Sequence, residues 1–102
     1  MHIGIPVLNK KPNMVYNEWG GFWVNESVDE YDYKIEYLKF EEGTRFPEIL
    51  SKQPHVAYKV DNLDPYAEDA DRVIFGPEDL GDGVRLAFVV KDDAIIELYE
   101  EK

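Results

Sequence analysis

The chain of 102 residues is long enough for one hydrophobic core and short for two. Its formal net charge of −11 argues against nucleic acid and anionic membranes as partners, since both are bound through clustered lysines and arginines. The absence of cysteine excludes disulfides, thiolate zinc sites and cysteine nucleophiles, and it fits a cytoplasmic protein. No apolar run approaches the roughly 20 residues that cross a bilayer, and the first residues lack the features of a signal peptide.

The first half of the chain is typical of short strands separated by turns. An alternating segment at residues 2–8 predicts the first strand. Pro12 suits the first turn of a helix and is followed by a predicted short helix at residues 14–19, which the glycines 20 and 21 end. A strand is predicted at residues 22–24, a polar turn at residues 25–32 and a further strand at residues 33–41.

The second half has a clearer alternation of strand and helix signals. A connector with one helical turn at residues 47–52 leads to an alternating strand at residues 54–61. Asp64 is the expected N-cap of a helix that has Pro65 at its first position and continues through residues 66–71. A strand is then predicted at residues 72–75 and a loop at residues 76–83. A further strand at residues 84–90, a tight turn at residues 91–93 and a last strand at residues 94–99 follow.

Two pairs of segments match between the halves. His2 and His55 each begin an alternating strand, and Glu36 and Glu97 each lie in the middle of a later strand. The order His then Glu therefore occurs twice, which predicts two copies of one module in a single domain of residues 1–102. We expect an α+β fold whose modules span about residues 1–42 and about residues 54–102. The second module is strand–helix–strand–strand–strand, and the first is an abbreviated version of it.

These four residues form the candidate site. Glu36 and Glu97 sit between large apolar neighbours, and a glutamate in the interior of a sheet is costly unless it is paired, hydrogen-bonded or bound to metal. Together with His2 and His55 they make a nitrogen–oxygen ligand set. Such a set suits Ni²⁺, Co²⁺, Zn²⁺, Mn²⁺ or Fe²⁺ and leaves positions for water or substrate.

Each residue also has a simpler interpretation. Glu36 and Glu97 can point outward from a sheet with one solvated face, His2 can be a surface residue, and His55 can be a hydrogen-bonded core histidine. The repetition of the same residue types at matching positions favours the shared metal site.

The chain resembles the vicinal oxygen chelate superfamily, and within it glyoxalase I (lactoylglutathione lyase) and methylmalonyl-CoA epimerase. Four segments carry the resemblance: His2-Ile3-Gly4-Ile5, Ile35-Glu36, Pro54-His55-Val56-Ala57-Tyr58-Lys59-Val60-Asp61-Asn62, and Arg85-Leu86-Ala87-Phe88-Val89-Val90 leading into Ile95-Ile96-Glu97-Leu98. They cover nearly the whole second module and the two ends of the first. The chain departs from the family in its first helix, which is much longer in the family than the segment after Pro12 allows.

The resemblance implies paired βαβββ modules whose curved sheets enclose a divalent metal, most often Ni, Co or Zn. It places the family's metal-ligand roles on His2, Glu36, His55 and Glu97, with Glu97 or Glu36 as the catalytic base. The implied activity is that of a metal-dependent lyase or isomerase, which acts through a metal-stabilised enediolate on a small 2-oxo or hemithioacetal substrate. Reprotonation at the same carbon would instead make the enzyme an epimerase.

Two other functions stay open at this level, a non-catalytic binder of small molecules and a degenerate member of the superfamily. An anionic substrate needs a cation near the pocket, and the arginines, each more typical of a surface ion pair, are Arg45, Arg72 and Arg85. The aromatic residues that would line an apolar pocket, or simply pack in the core, are Trp19, Phe22, Trp23 and Phe88. A small domain with exposed aromatic strands gains stability from symmetric pairing, so we expect a homodimer.

Overall fold

A computed structural model describes residues 2–25 and 34–101, and the predicted turn at residues 25–32 lies almost entirely outside the described residues. The chain forms two compact units, one from His2–Pro54 and one from His55 onward. The described residues contain eight strands, one short α-helix and one 3₁₀ turn, so the protein is mostly β-sheet with little helix. Within that part of the chain, no helix is both long and apolar enough to span a membrane.

The first unit is a four-stranded sheet. Its strands are β1 (His2–Pro6), β2 (Met14–Asn17), β3 (Phe22–Asn25) and β4 (Ile35–Phe40), and a 3₁₀ turn follows at Glu48–Ser51. The strand order is β2-β3-β4-β1, in which β1 runs parallel to β4 and the other neighbours are antiparallel. The parallel pair therefore joins the first and last strands of the unit.

The helix predicted at residues 14–19 is wrong, because this segment forms strand β2. Asn13 has a positive φ of 65°, which turns the chain after Pro12 instead of starting a helix. Val15 and Tyr16 are a β-branched and an aromatic residue, and they pair with Val24 and Trp23 of β3. Strand pairing with β3 thus outweighs the helix-start signal of Pro12.

A loop rather than a helix covers one face of this first sheet. The ammonium of Lys10 lies 3.9 Å from the ring centre of Trp23, and that of Lys11 lies 5.0 Å from the ring of Tyr37. Glu41 accepts hydrogen bonds from Lys39 and from the indole N–H of Trp23. The hydrogen bond from Lys39 and, to a smaller extent, the indole hold the pKa of Glu41 below its usual value.

The second unit keeps the predicted order of strand, helix and three strands. Its elements are β5 (His55–Val60), α1 (Asp64–Asp69), β6 (Arg72–Gly81), β7 (Val84–Lys91) and β8 (Ala94–Glu101). The strand order is β5-β8-β7-β6, with β5 parallel to β8. Asp92 and Asp93 both have positive φ, as the predicted tight turn of a two-residue hairpin requires. Helix α1 begins one residue earlier than predicted, so Leu63 rather than Asp64 is its N-cap.

Strand β6 is longer than predicted, and the expected loop at residues 76–83 is mostly strand. The register against β7 shifts at three places along β6, which absorbs the irregular Gly76-Pro77 segment. Gly76 has a φ of 76°, and a Cβ there would lie 2.4 Å from the carbonyl oxygen of Leu86. Because β6 is the last strand of its sheet, Pro77 does not interrupt a central ladder.

Helix α1 and the sheet enclose the core of the second unit, and the buried carboxylate of Glu100 links the two. Leu63, Ala87, Val89 and Leu98 form the apolar cluster. The carboxylate of Glu100, 1% exposed, accepts hydrogen bonds from Arg85 at 2.7 and 2.8 Å and from the backbone N–H of Leu63 at 3.1 Å. The hydrogen bond of Arg85 to Glu100 and, next, its contact with Asp64 raise the pKa of the guanidinium.

We predict that Glu100→Gln destabilises the protein by about 1–3 kcal/mol, because glutamine keeps one acceptor oxygen but loses the negative charge and places an NH₂ donor against the guanidinium of Arg85. The measurement is urea unfolding followed by circular dichroism. Glu101→Gln is the matched control. The carboxylate of Glu101 pairs with Lys59 at the surface, so the loss of its charge should not change the unfolding midpoint measurably. Equal midpoints for both variants would contradict this role of Glu100.

Candidate metal centre

One predicted histidine–glutamate pair is formed within the second unit. His55 lies on β5 opposite Ile95, and Glu97 lies on β8 opposite Ala57, so the two side chains are diagonal neighbours on one face of a parallel strand pair. The Nε2 atom of His55 is 3.1 Å from Oε1 of Glu97. The imidazole is 1% exposed and the carboxylate 14% exposed. Strand pairing therefore brings together two residues that lie far apart in sequence.

The environment of His55 determines how its ring is held. The ring packs edge-on against Phe88, with centres 5.2 Å apart. Among the described residues, its Nδ1 atom has no hydrogen-bond partner and is buried. A carboxylate only accepts hydrogen bonds, so Nε2 of His55 is the donor in its contact with Glu97. The ring thus presents Nε2 to the carboxylate, packs against Phe88 and leaves Nδ1 buried.

The second predicted pair is formed within the first unit. Glu36 lies on β4 opposite Gly4 of β1, and His2 precedes Gly4 by two residues on the same face of the sheet. The Nε2 atom of His2 and Oε1 of Glu36 are 3.7 Å apart. The side chains are 28% and 21% exposed, so this pair is more open and looser than that of His55 and Glu97.

The two pairs occupy equivalent positions. In each unit the glutamate faces a small residue, Gly4 or Ala57, and the histidine stands two residues before that small residue. Both strand pairs are parallel and join the first and last strands of their units. The small residues were not singled out in the sequence, although the signal was there: each follows a strand histidine by two positions, on the same face as the carboxylate.

The geometry within each pair fits ligands of one first-row divalent ion. Nitrogen and oxygen ligands bind such ions at about 2.0–2.2 Å, which places neighbouring ligand atoms roughly 3.0–3.4 Å apart. The 3.1 Å separation of the His55–Glu97 pair already lies in that range, and the 3.7 Å of the His2–Glu36 pair is a few tenths wider. Imidazole nitrogen and carboxylate oxygen are also a donor set that Zn, Ni and Co accept.

The arginines singled out in the sequence serve other contacts. Arg45 donates to the carbonyl of Trp19 at 2.6 Å and stacks over its ring at 4.2 Å. Arg85 forms the ion pair with Glu100, and Arg72 is exposed on β6. Each is therefore a surface or ion-pair residue, as the simpler interpretation holds.

The aromatic residues separate into three groups. Phe22 packs against Phe46 in the first unit, and Trp19 contacts Phe46 from the surface and is itself 37% exposed. Phe88 contacts the ring of His55 and pairs directly with Glu97 across β7 and β8, so it belongs to the candidate centre. Trp23 faces away from Glu36. Its indole N–H donates a hydrogen bond to Glu41, and the ammonium of Lys10 lies over its ring.

Three comparisons with known proteins found no match: a scan against protein-family models, a search of curated proteins and a search of solved structures.

We predict that the two histidines differ in their contribution to stability. His55→Ala removes a buried ring and the donor to Glu97, which costs on the order of 2–4 kcal/mol. His2→Ala removes a partly exposed ring at a wider distance from its carboxylate and should cost clearly less. Urea unfolding of metal-free protein measures both, and a cost for His2→Ala that equals or exceeds that for His55→Ala would contradict the prediction.

Proposed function

We propose that the protein is a divalent-metal-dependent lyase or isomerase similar to glyoxalase I, in which the two units act as paired modules of the βαβββ type and the first lacks its helix. The observation that carries this proposal is the equivalent placement of one histidine and one glutamate in each unit. The resemblance of the sequence to the vicinal oxygen chelate superfamily supports it. The substrate class is a small 2-oxo compound or hemithioacetal.

In this proposal His2, Glu36, His55 and Glu97 are the four protein ligands of one ion, with Ni, Co or Zn as the metals that suit them. The modules that supply the two pairs belong to one chain or to two chains of a homodimer. A divalent ion held there would act as a Lewis acid on two neighbouring oxygens of the substrate. Size-exclusion chromatography with light scattering decides whether the metal-loaded protein is a monomer or the proposed dimer.

The side chains of the centre transfer the proton and limit the access of water. Glu97 or Glu36 accepts the carbon-bound proton next to the carbonyl and returns it, at the adjacent carbon in an isomerase or at the same carbon in an epimerase. Before an ion is bound, Nε2 of His55 contacts the Glu97 carboxylate at 3.1 Å and keeps the two ligand atoms close together; the same nitrogen would be the one that holds the ion. Phe88, 4% exposed and directly opposite Glu97, limits the access of water to that carboxylate.

A non-catalytic binder is the second candidate, because one observation favours it. Residues 7–13, where the family has a long helix, form a loop in this chain, and Lys10 and Lys11 of that loop lie over the aromatic rings of the first sheet. One wall of the usual pocket is therefore rebuilt. A rebuilt wall suits a site that holds a small molecule without turning it over.

We predict that the protein, freed of metal with EDTA and then dialysed against Ni²⁺, Co²⁺ or Zn²⁺, binds one ion per chain. Each of His2→Ala, Glu36→Gln, His55→Ala and Glu97→Gln should weaken binding about tenfold or more, since the alanine variants remove a ligand and the glutamine variants replace a charged carboxylate ligand with a neutral amide. Calorimetric titration and elemental analysis measure affinity and stoichiometry.

The matched control for these variants is Glu68→Gln, which removes a carboxylate from the exposed face of α1 and should bind as the wild type does. Wild-type affinity in His55→Ala or Glu97→Gln would contradict the metal centre. Loss of binding only in the second-unit variants would contradict the sharing of one ion by both pairs.

We predict that the metal-loaded protein converts methylglyoxal–thiol adducts and, in deuterium oxide, exchanges the carbon-bound proton of substrate or product with solvent. Glu97→Gln and Glu36→Gln are compared in samples that carry bound metal. The variant that abolishes the exchange identifies the glutamate that acts as the base. Proton NMR follows both exchange and product. Tight binding of the adducts without exchange or product would favour the non-catalytic binder.

A further inference from the structure

A cavity of about 340 Å³ lies in the second unit between α1 and the sheet. Its floor is apolar, from Val89, Ile96 and Leu98, and the rings of Tyr58 and Tyr66 stand at its edge, 44% and 55% exposed. This volume is at the lower end of the range of small-molecule sites, about 300–1,000 Å³. The cavity is therefore large enough for a ligand of one ring with a short side chain.

The cavity exists because α1 is too short and too thin to fill the space. The helix has six residues and is about 9 Å long at 1.5 Å per residue, which is shorter than the strands beneath it. Ala67 of the helix and Ala70, the residue that caps its C-terminus, pack against the apolar cluster of the sheet. Small side chains here leave a hollow in which a longer helix with larger residues would pack.

The cavity is separate from the candidate metal centre. Its floor residue Ile96 precedes Glu97 on β8, and successive side chains of a strand point to opposite faces of the sheet. Likewise Tyr58 of the cavity lies on the face of β5 opposite to that of His55. A molecule in the cavity is thus divided from the histidine–glutamate pair by the thickness of the sheet.

One cation is placed to bind a ligand in the cavity. Lys91 follows Val89 by two residues on the same face of β7, and its ammonium donates to the carbonyl of Asp69 at 3.1 Å. Its contact with the Asp69 carboxylate is longer, 3.5 Å, and that carboxylate is 79% exposed, so the contact is weak. An ammonium has three donors, which allows a further bond to a ligand oxygen. The ammonium of Lys59 is bound instead to Glu101 at 2.9 Å.

We propose that this cavity binds a small aromatic carboxylic acid, with its ring on the apolar floor beside Tyr58 and Tyr66 and its carboxylate at Lys91. Two aromatic edges over an aliphatic floor favour a flat ring, because offset and edge-to-face contacts add to apolar burial. Among the residues that the structure describes, Lys91 is the one cation placed for a ligand in this cavity, and the chain as a whole has a net charge of −11. The cavity therefore suits a ligand with one negative charge and disfavours a phosphate or other polyanion.

The test is a titration of the ¹⁵N-labelled protein, freed of metal with EDTA, with phenylacetate and with its neutral amide, phenylacetamide. We expect saturable shifts of the amides of Val89, Ile96 and Ala70 with phenylacetate and about tenfold weaker binding of the amide. Addition of Zn²⁺ should not change the affinity for phenylacetate. Shifts centred on the strand face of His55, a requirement for Zn²⁺, equal affinity for acid and amide, or no saturable shift would each overturn the proposal.

Two variants with matched controls test the residues. Ala70→Phe fills the cavity and should abolish binding, whereas Ala94→Phe adds the same ring at an exposed position of the β7–β8 hairpin and should not. Lys91→Gln should weaken binding of phenylacetate about tenfold and leave phenylacetamide unchanged, whereas Lys52→Gln, at an exposed lysine paired with Glu48, should change neither. Should Ala70→Phe fail to fold, the Lys91→Gln comparison still decides, since wild-type affinity for phenylacetate in that variant overturns the proposal.

Discussion

The pairing of the first and last strands in each unit is the constraint on which the rest of the structure depends. β1 pairs in parallel with β4, and β5 pairs in parallel with β8. Parallel neighbours cannot be joined by a tight turn, so the intervening strands must lie to one side and return. That arrangement brings a histidine near the start of each unit beside a glutamate near its end. A shift of one residue in either register would turn the glutamate to the other face of the sheet.

The two units meet this constraint with different packing. In the second, α1 covers one face of the sheet and is held by Glu100, which joins Arg85 to the first turn of the helix. In the first, lysine side chains of a loop lie over Trp23 and Tyr37. The better buried pair, His55 with Glu97, belongs to the unit that has the helix.

Each face of the sheet in the second unit has its own chemistry. His55, Glu97 and Phe88 lie on one face, and Ile96, Val89 and Tyr58 lie on the other. Because neighbouring positions of a strand alternate between faces, Ile96 and Glu97 serve the cavity and the candidate metal centre side by side. One eight-residue strand thus contributes to two proposed binding sites that need not share a ligand.

The sequence by itself determined the features that rest on local pattern. The alternation around His55, the repeated order of His and Glu, and the Asp92-Asp93 turn all follow from which residue types stand next to one another. Tertiary structure decided what depends on partners distant in sequence. Residues 14–17 are a strand because β3 pairs with them, and β6 continues past Gly76 because bulges against β7 accommodate an irregular segment. The burial of His55 and the hollow beneath α1 likewise arise only when strands and helix pack, since no local pattern specifies which space a side chain fails to fill.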